Sequence, residues 1–122
     1  MRIAIPVSGA SLEGSVFDSL GRAPWFYLYD TGVTRGRFVR NVAPDAAGGA
    51  GVLAAQLLVD QEVDAVLTPQ CGKNAAEVFG SAKIRLVRTR GSGITENLSD
   101  FVQGQLEDLT EIHAGRHGAG RP

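Results

Sequence analysis

Apolar residues along the chain follow two rhythms. Residues 2–7, RIAIPV, form a short apolar run bounded by Ser8, Gly9 and Ser11, which predicts a buried strand with Pro6 near its end, where a missing N–H is tolerated. In residues 24–42, Trp25, Tyr27 and Tyr29 alternate with Phe26 and Leu28, the turn residues DTGVTRG follow, and RFVRNV resumes the alternation. That period of two predicts an antiparallel hairpin whose aromatic stripe belongs to the core rather than to a stacking platform. Beyond Asp45 the rhythm becomes helical. The small residues AAGGAG lead into VLAAQLLVDQ, where Leu53, Leu57 and Leu58 recur at helical spacing. VDAVLT then predicts a strand, KNAAEVFG a helix closed by Gly80, KIRLVR a strand, and residues 94–103 a helix opened by Thr95 to Asn97 and ended by Gly104. Residues 8–23 are expected to form a long loop with a turn of helix at Val16 to Leu20. Residues 111–122 have little to bury and are expected to be a disordered tail behind a single domain of residues 1–110.

Strand signals alternating with helices imply parallel strands joined by right-handed crossovers, here beside an antiparallel hairpin. The predicted architecture is an α/β sandwich, a mixed sheet of about five strands with helices on its faces. In such sheets ligands gather beyond the carboxyl ends of the strands. Three segments are expected to meet there: the loop Ser8 to Arg22, the glycine segment Gly48 to Gly51, and PQCGKN around Cys71.

Composition narrows the functions available. With 43% hydrophobic and 20% charged residues the chain should fold, and a net charge of -1 supplies no global field toward nucleic acid or a membrane. The longest mainly apolar stretch, Val52 to Val59, is too short to span a bilayer, so no membrane role is expected. The single cysteine forms no internal disulfide and no signal peptide is evident, which fits a reducing cytoplasm.

That cysteine, Cys71, falls between a predicted strand end and a predicted helix start. Amide N–H groups and the helix dipole there should lower its pKa and favour a reachable thiolate, against the blander reading of a small buried hydrophobe. A hydrolytic triad is disfavoured because the histidines, His113 and His117, lie in the tail. Gly48, Gly49 and Gly51 could open N–H groups to a ligand or serve tight packing, and they match neither a dinucleotide nor a phosphate-loop fingerprint. Of the arginines, Arg22 stands out because it follows Gly21 at the expected ligand edge, whereas Arg85, Arg88 and Arg90 mark the last strand and its exit.

Taken together, IAIPVSG, LGRAPWFYLYD, GGAGVLAAQLLVDQEVDAVLTPQCGKNAAEVF and GSGITENLSDFVQGQLEDL resemble the nitrogenase iron-molybdenum cofactor biosynthesis and carrier family, in order and spacing across residues 2–110. The resemblance implies a ribonuclease H-like three-layer fold that binds an iron-sulfur or iron-molybdenum-sulfur cluster without turnover and exchanges it with a donor or acceptor protein. The site read from the residues agrees with it, since an anionic cluster needs a thiolate, exposed amides and positive charge: Cys71 is the expected metal ligand, with Arg22, Gly49, Ala50, Gly51 and Gly72 around the cofactor. Three positions depart from the family pattern: Ser19 and Leu20 replace a histidine–phenylalanine pair, and Gly48 stands where a second histidine is common. One thiolate per chain cannot complete a cluster, which leaves a homodimer, an exogenous thiol or loss of the activity. A cofactor-free regulatory or interaction module on the same fold is the alternative. A ribonuclease H-type nuclease is disfavoured, since strand one carries no carboxylate and Asp18, Asp30 and Asp64 fall on separate segments as turn or capping residues.

Overall fold

Strand β1 (Arg2–Val7) runs through the centre of the sheet, and five of its six residues are buried because both faces are covered. The computed structural model describes residues 1–42, 48–110 and 112. On one side of β1 lies the hairpin β2 (Trp25–Asp30) and β3 (Arg35–Arg40), antiparallel with Trp25 opposite Arg40; on the other lie β4 (Ala65–Thr68) and β5 (Arg85–Arg88), both parallel to it. The sheet order is β3-β2-β1-β4-β5. Pro6 costs nothing here: the pairing with β4 covers Ile3–Ala65 and Ala4–Val66 and ends before Pro6 is reached.

Helices α1 (Ala50–Asp60) and α2 (Lys73–Ser81) cover one face, packing Ala54, Ala55, Leu58, Ala75 and Phe79 against Ala4, Phe26, Leu28 and Val66. Helix α3 (Ile94–Val102) covers the other, with Ile94, Leu98 and Phe101 over Ile3, Ile5, Leu67 and Val87. This is the three-layer α/β arrangement expected from the sequence. The aromatic stripe divides between the faces: Phe26 joins the α1–α2 layer, while Trp25, Tyr27 and Tyr29 join the α3 layer. β5 does not end the sheet bare. The chain after α3 folds back along it, Arg88 N–H donating to the Glu107 carbonyl and Leu109 N–H to the Leu86 carbonyl.

Three details differ from expectation. Residues 16–20 form no helix; Val16 bridges to Val7 and Ser15 to Gly93, so the loop is tied into the sheet edge, and one turn closes later through Ala23 N–H to the Ser19 carbonyl. The inner face of α1 is made by Ala50, Ala54, Ala55 and, of the three expected leucines, by Leu58 alone in full, while Leu57 is part-buried and Leu53 half exposed. Gly80 lies within α2, whose end is set by Lys83 in the left-handed region (φ 61°), with Ile84 N–H donating to the Phe79 carbonyl and Lys83 N–H to the Gly80 carbonyl. Asp45, His113, His117 and most of the predicted tail lie outside the described residues.

Left-handed geometry is strained for a side chain, so Lys83→Gly should raise unfolding stability by about 0.5–1 kcal/mol in urea denaturation; a loss would show that Lys83 makes compensating contacts. Phe79→Ala removes a fully buried ring from the α1–α2 layer and should cost about 3–5 kcal/mol in the same measurement.

Candidate functional site

The carboxyl ends of β1, β4 and β5 face one edge of the molecule, and the parallel topology sends the start of every helix to that edge. Each helix begins on a glycine, Gly49, Gly72 and Gly93, and none of the three receives a side-chain cap. Backbone N–H groups in their first turns therefore receive no capping side chain from the residue that opens each helix. Gly49 stands at φ 73° and ψ 16°, a conformation that favours glycine. The three termini are not equivalent. α3 carries Glu96 in its first turn, folded back over Gly93, which places negative charge on its dipole, whereas α1 and α2 carry no acidic residue there. Lys73 adds a cation at the first position of α2.

The β1–β2 loop closes one side of this rim. Gly21 lies against the first turn of α1: a Cβ on it would sit 2.7 Å from the Gly51 nitrogen and 2.9 Å from the Ala50 carbonyl carbon. Only glycine permits that backbone approach, and it sets exposed Arg22 beside the α1 terminus. Buried Asn41 holds the loop from beneath, its amide donating to the carbonyls of Gly21 (3.2 Å) and Ala23 (2.8 Å). Gln70 reaches across from the β4–α2 loop to the Asp18 carbonyl at 2.7 Å. At the far side, fully buried Asn97 fixes the β5–α3 loop, accepting from Arg90 N–H at 2.7 Å and donating to the Gly91 and Gly93 carbonyls.

The six residues singled out in the sequence thus fall on one rim, in different roles. Gly49 and Gly72 are exposed, and Ala50 has its methyl buried, so it offers only its backbone. Gly51 faces α2, where an added Cβ would stand 3.7 Å from the Ala75 methyl, an ordinary contact, so space does not demand this glycine. Cys71 departs from expectation. It is 2% exposed and joins the apolar layer that holds Ala54, Ala75 and Phe79, and its Sγ donates to the Gly72 carbonyl at 3.5 Å. Burial pushes its pKa up to about 11, not down. The reason is the turn: the Thr68 hydroxyl donates to the Gln70 carbonyl at 3.0 Å and the Gln70 side chain is drawn outward to Asp18, so Cys71 turns inward. Desolvation of the sulfur then outweighs the helix dipole, whose effect is about 1 kcal/mol.

Asn41 and Asn97 carry the rim mechanically, and periodicity does not mark them. The only sequence signal is a polar residue beside a predicted element's end, which usually means solvent. Asp30 proves to be a turn residue, accepting from Gly32 N–H, whereas Asp64 accepts from Arg2 N–H at the start of β1, a tie between distant segments and not a turn. Among the described residues, no group of three or more His, Cys, Asp or Glu could hold a metal ion, and no helix is long and apolar enough to cross a membrane.

Comparison with known proteins agrees with this architecture. The apo form of the orange protein from Desulfovibrio gigas superposes with a TM-score of 0.84 at 29% identity, covering 89% of this chain and 92% of that one. A NifB-like protein from Thermotoga gives 0.80 at 32% identity, covering 93% and 97%. The Methanocaldococcus jannaschii protein MJ0580 is 24% identical over 110 residues, 88% of this chain and 90% of its own length. The family described as dinitrogenase iron-molybdenum cofactor matches residues 1–104, and with that span and this fold the chain belongs to it.

Proposed function

We propose that the chain is a non-catalytic carrier or assembly factor for a metal–sulfur cluster of iron-sulfur or iron-molybdenum type, seated on the rim shared by α1, α2 and the Arg22 loop. The observation that carries this reading is the pair of adjacent helix termini that lack both a capping side chain and a first-turn carboxylate, with Arg22 and Lys73 at the same edge. Amide hydrogen bonds to sulfur and nearby positive charge are what stabilise an anionic cluster. The family's description and the likeness to the orange protein and to a NifB-like protein support the same class of cargo.

Cys71, buried and protonated, supports a seat made by amides and cations rather than by a metal–sulfur bond to the protein. Such a cargo is held from outside its own sulfide shell and can be handed on without breaking a protein ligand. The alternative is a cofactor-free interaction module, favoured by Ser19, Leu20 and Gly48 at the positions where the family commonly carries histidine and phenylalanine.

Anaerobic reconstitution with ferrous iron, molybdate and sulfide should give a coloured, roughly stoichiometric complex. Arg22→Glu with Lys73→Glu should lower cluster affinity by more than about tenfold, while Cys71→Ala keeps its load. Loss of metal in Cys71→Ala would replace the amide seat with sulfur ligation, and a wild-type chain that takes up no metal would favour the interaction module. The thiol itself should titrate near pH 11 by thiolate absorbance in the native protein. Because the unfolded thiol ionises near 9.0, its usual value, stability contributed by the neutral thiol is complete below pH 9 and falls as pH rises toward 11. Cys71→Ala should flatten that decline in urea-denaturation midpoints; an unchanged slope would locate it elsewhere.

A further inference from the structure

The two edges of the sheet are treated differently. β5 is covered by residues 107–109, whereas the outer side of β3 is bare among the described residues. The donor–acceptor order of β3 follows from its register. Asn41 N–H donates to the Pro24 carbonyl at 3.0 Å, and antiparallel pairs alternate, so Val39, Arg37 and Arg35 turn their backbone groups toward β2. Gly36, Phe38 and Arg40 then direct N–H and C=O outward, an open template for another strand.

Charge decides which strand fits. β3, RGRFVR, carries Arg35, Arg37 and Arg40, all exposed, and no acidic residue. A second copy pairing across the same edge would set these arginines against their equivalents, which is the usual defence of an edge strand against itself. An acidic strand meets the opposite situation. On the face that bears Arg35 and Arg37, a concavity of about 190 Å³ is also lined by Arg2, Leu28 and Asp30. Gln61 pre-positions two of its cations: the Arg2 guanidinium donates to the Gln61 carbonyl at 2.6 Å and the Arg37 guanidinium to the Gln61 side-chain oxygen at 2.7 Å. One carboxylate, Asp30, stands opposite Arg35 in the register and offsets part of this charge, leaving three arginines against a single acid around the concavity. On the other face Phe38 packs against Tyr27 with ring centroids 4.9 Å apart, and Arg40 lies over Trp25 at 5.1 Å, leaving partly exposed aromatic surface.

We infer that β3 docks an extended segment of a partner protein by strand addition, with carboxylates alternating toward Arg35 and Arg37 and apolar side chains toward Phe38. β3 runs parallel to β1, so its Arg40 end lies at the same end of the sheet as the carboxyl ends of β1, β4 and β5. The inference does not rest on the cluster reading.

The test uses the full chain, labelled with ¹⁵N, and a ten-residue peptide alternating Glu and Val, beside a Lys–Val counterpart. With the Glu peptide, hydrogen exchange at the amides of Gly36, Phe38 and Arg40 should slow by more than about tenfold, as expected when bare strand amides become paired. Arg35→Glu with Arg37→Glu should weaken binding at least about tenfold, and Arg40→Pro should weaken it where Arg40→Ala does not, since only proline removes the outward donor while an edge position tolerates it. Thermal melts confirm that each variant is folded. Equal protection by the Lys peptide overturns the proposal, as does displacement of the Glu peptide by a short oligouridine. Protection of these amides in the free chain, by a second copy or by its own residues beyond 112, also overturns it.

Discussion

Backbone meets backbone where Gly21 rests on the first turn of α1, and the rim of this protein is built on that contact. With no Cβ at residue 21, the β1–β2 loop can approach the Ala50–Gly51 peptide to within a distance that any side chain would forbid. The approach does two things together. It brings Arg22 to a helix terminus that opens on a glycine without a capping side chain, and it anchors a loop that also reaches the β4–α2 turn through Gln70 and Asp18 and the start of α3 through Ser15 and Gly93. Asn41 then fixes the loop by binding the two carbonyls that flank Arg22. Four separate segments are held in register by small residues and two buried amides rather than by a large apolar patch.

The consequence for chemistry is a site of backbone donors. α1 and α2 arrive side by side because both follow the same parallel crossover rule, and their alanine-lined surfaces let their first turns lie close together. Cys71 shows how strongly this geometry governs a side chain. The same loop that opens α2 toward solvent turns the thiol into the alanine-rich layer, where loss of hydration outweighs the helix dipole and keeps the sulfur protonated. A carrier built this way would grip cargo by complementary field and hydrogen bonds, which suits reversible transfer.

Strand β3 brings a second chemistry to the same molecule. Its outer edge is cationic, its inner side belongs to the sheet, and its last residue points toward the rim. A partner added to that edge and cargo held at the rim would then be neighbours on one continuous surface.

The order of elements, the antiparallel hairpin and the parallel crossovers were legible in the sequence, because period-two and helical apolar patterns report local backbone geometry directly. The gathering of Arg22, Gly49, Gly72 and Cys71 at one edge followed from those elements through the carboxyl-end rule for α/β sheets. Sequence could not decide which way Cys71 faces, since the residue follows a turn held locally by Thr68 and drawn outward by Gln70 through its contact with Asp18, distant in the chain. Nor could it identify Asn41 and Asn97 as buried clamps or Lys83 rather than Gly80 as the end of α2. Burial, and with it protonation and hydrogen-bond role, depends on what the rest of the chain brings to a residue, and that is fixed only when the layers pack.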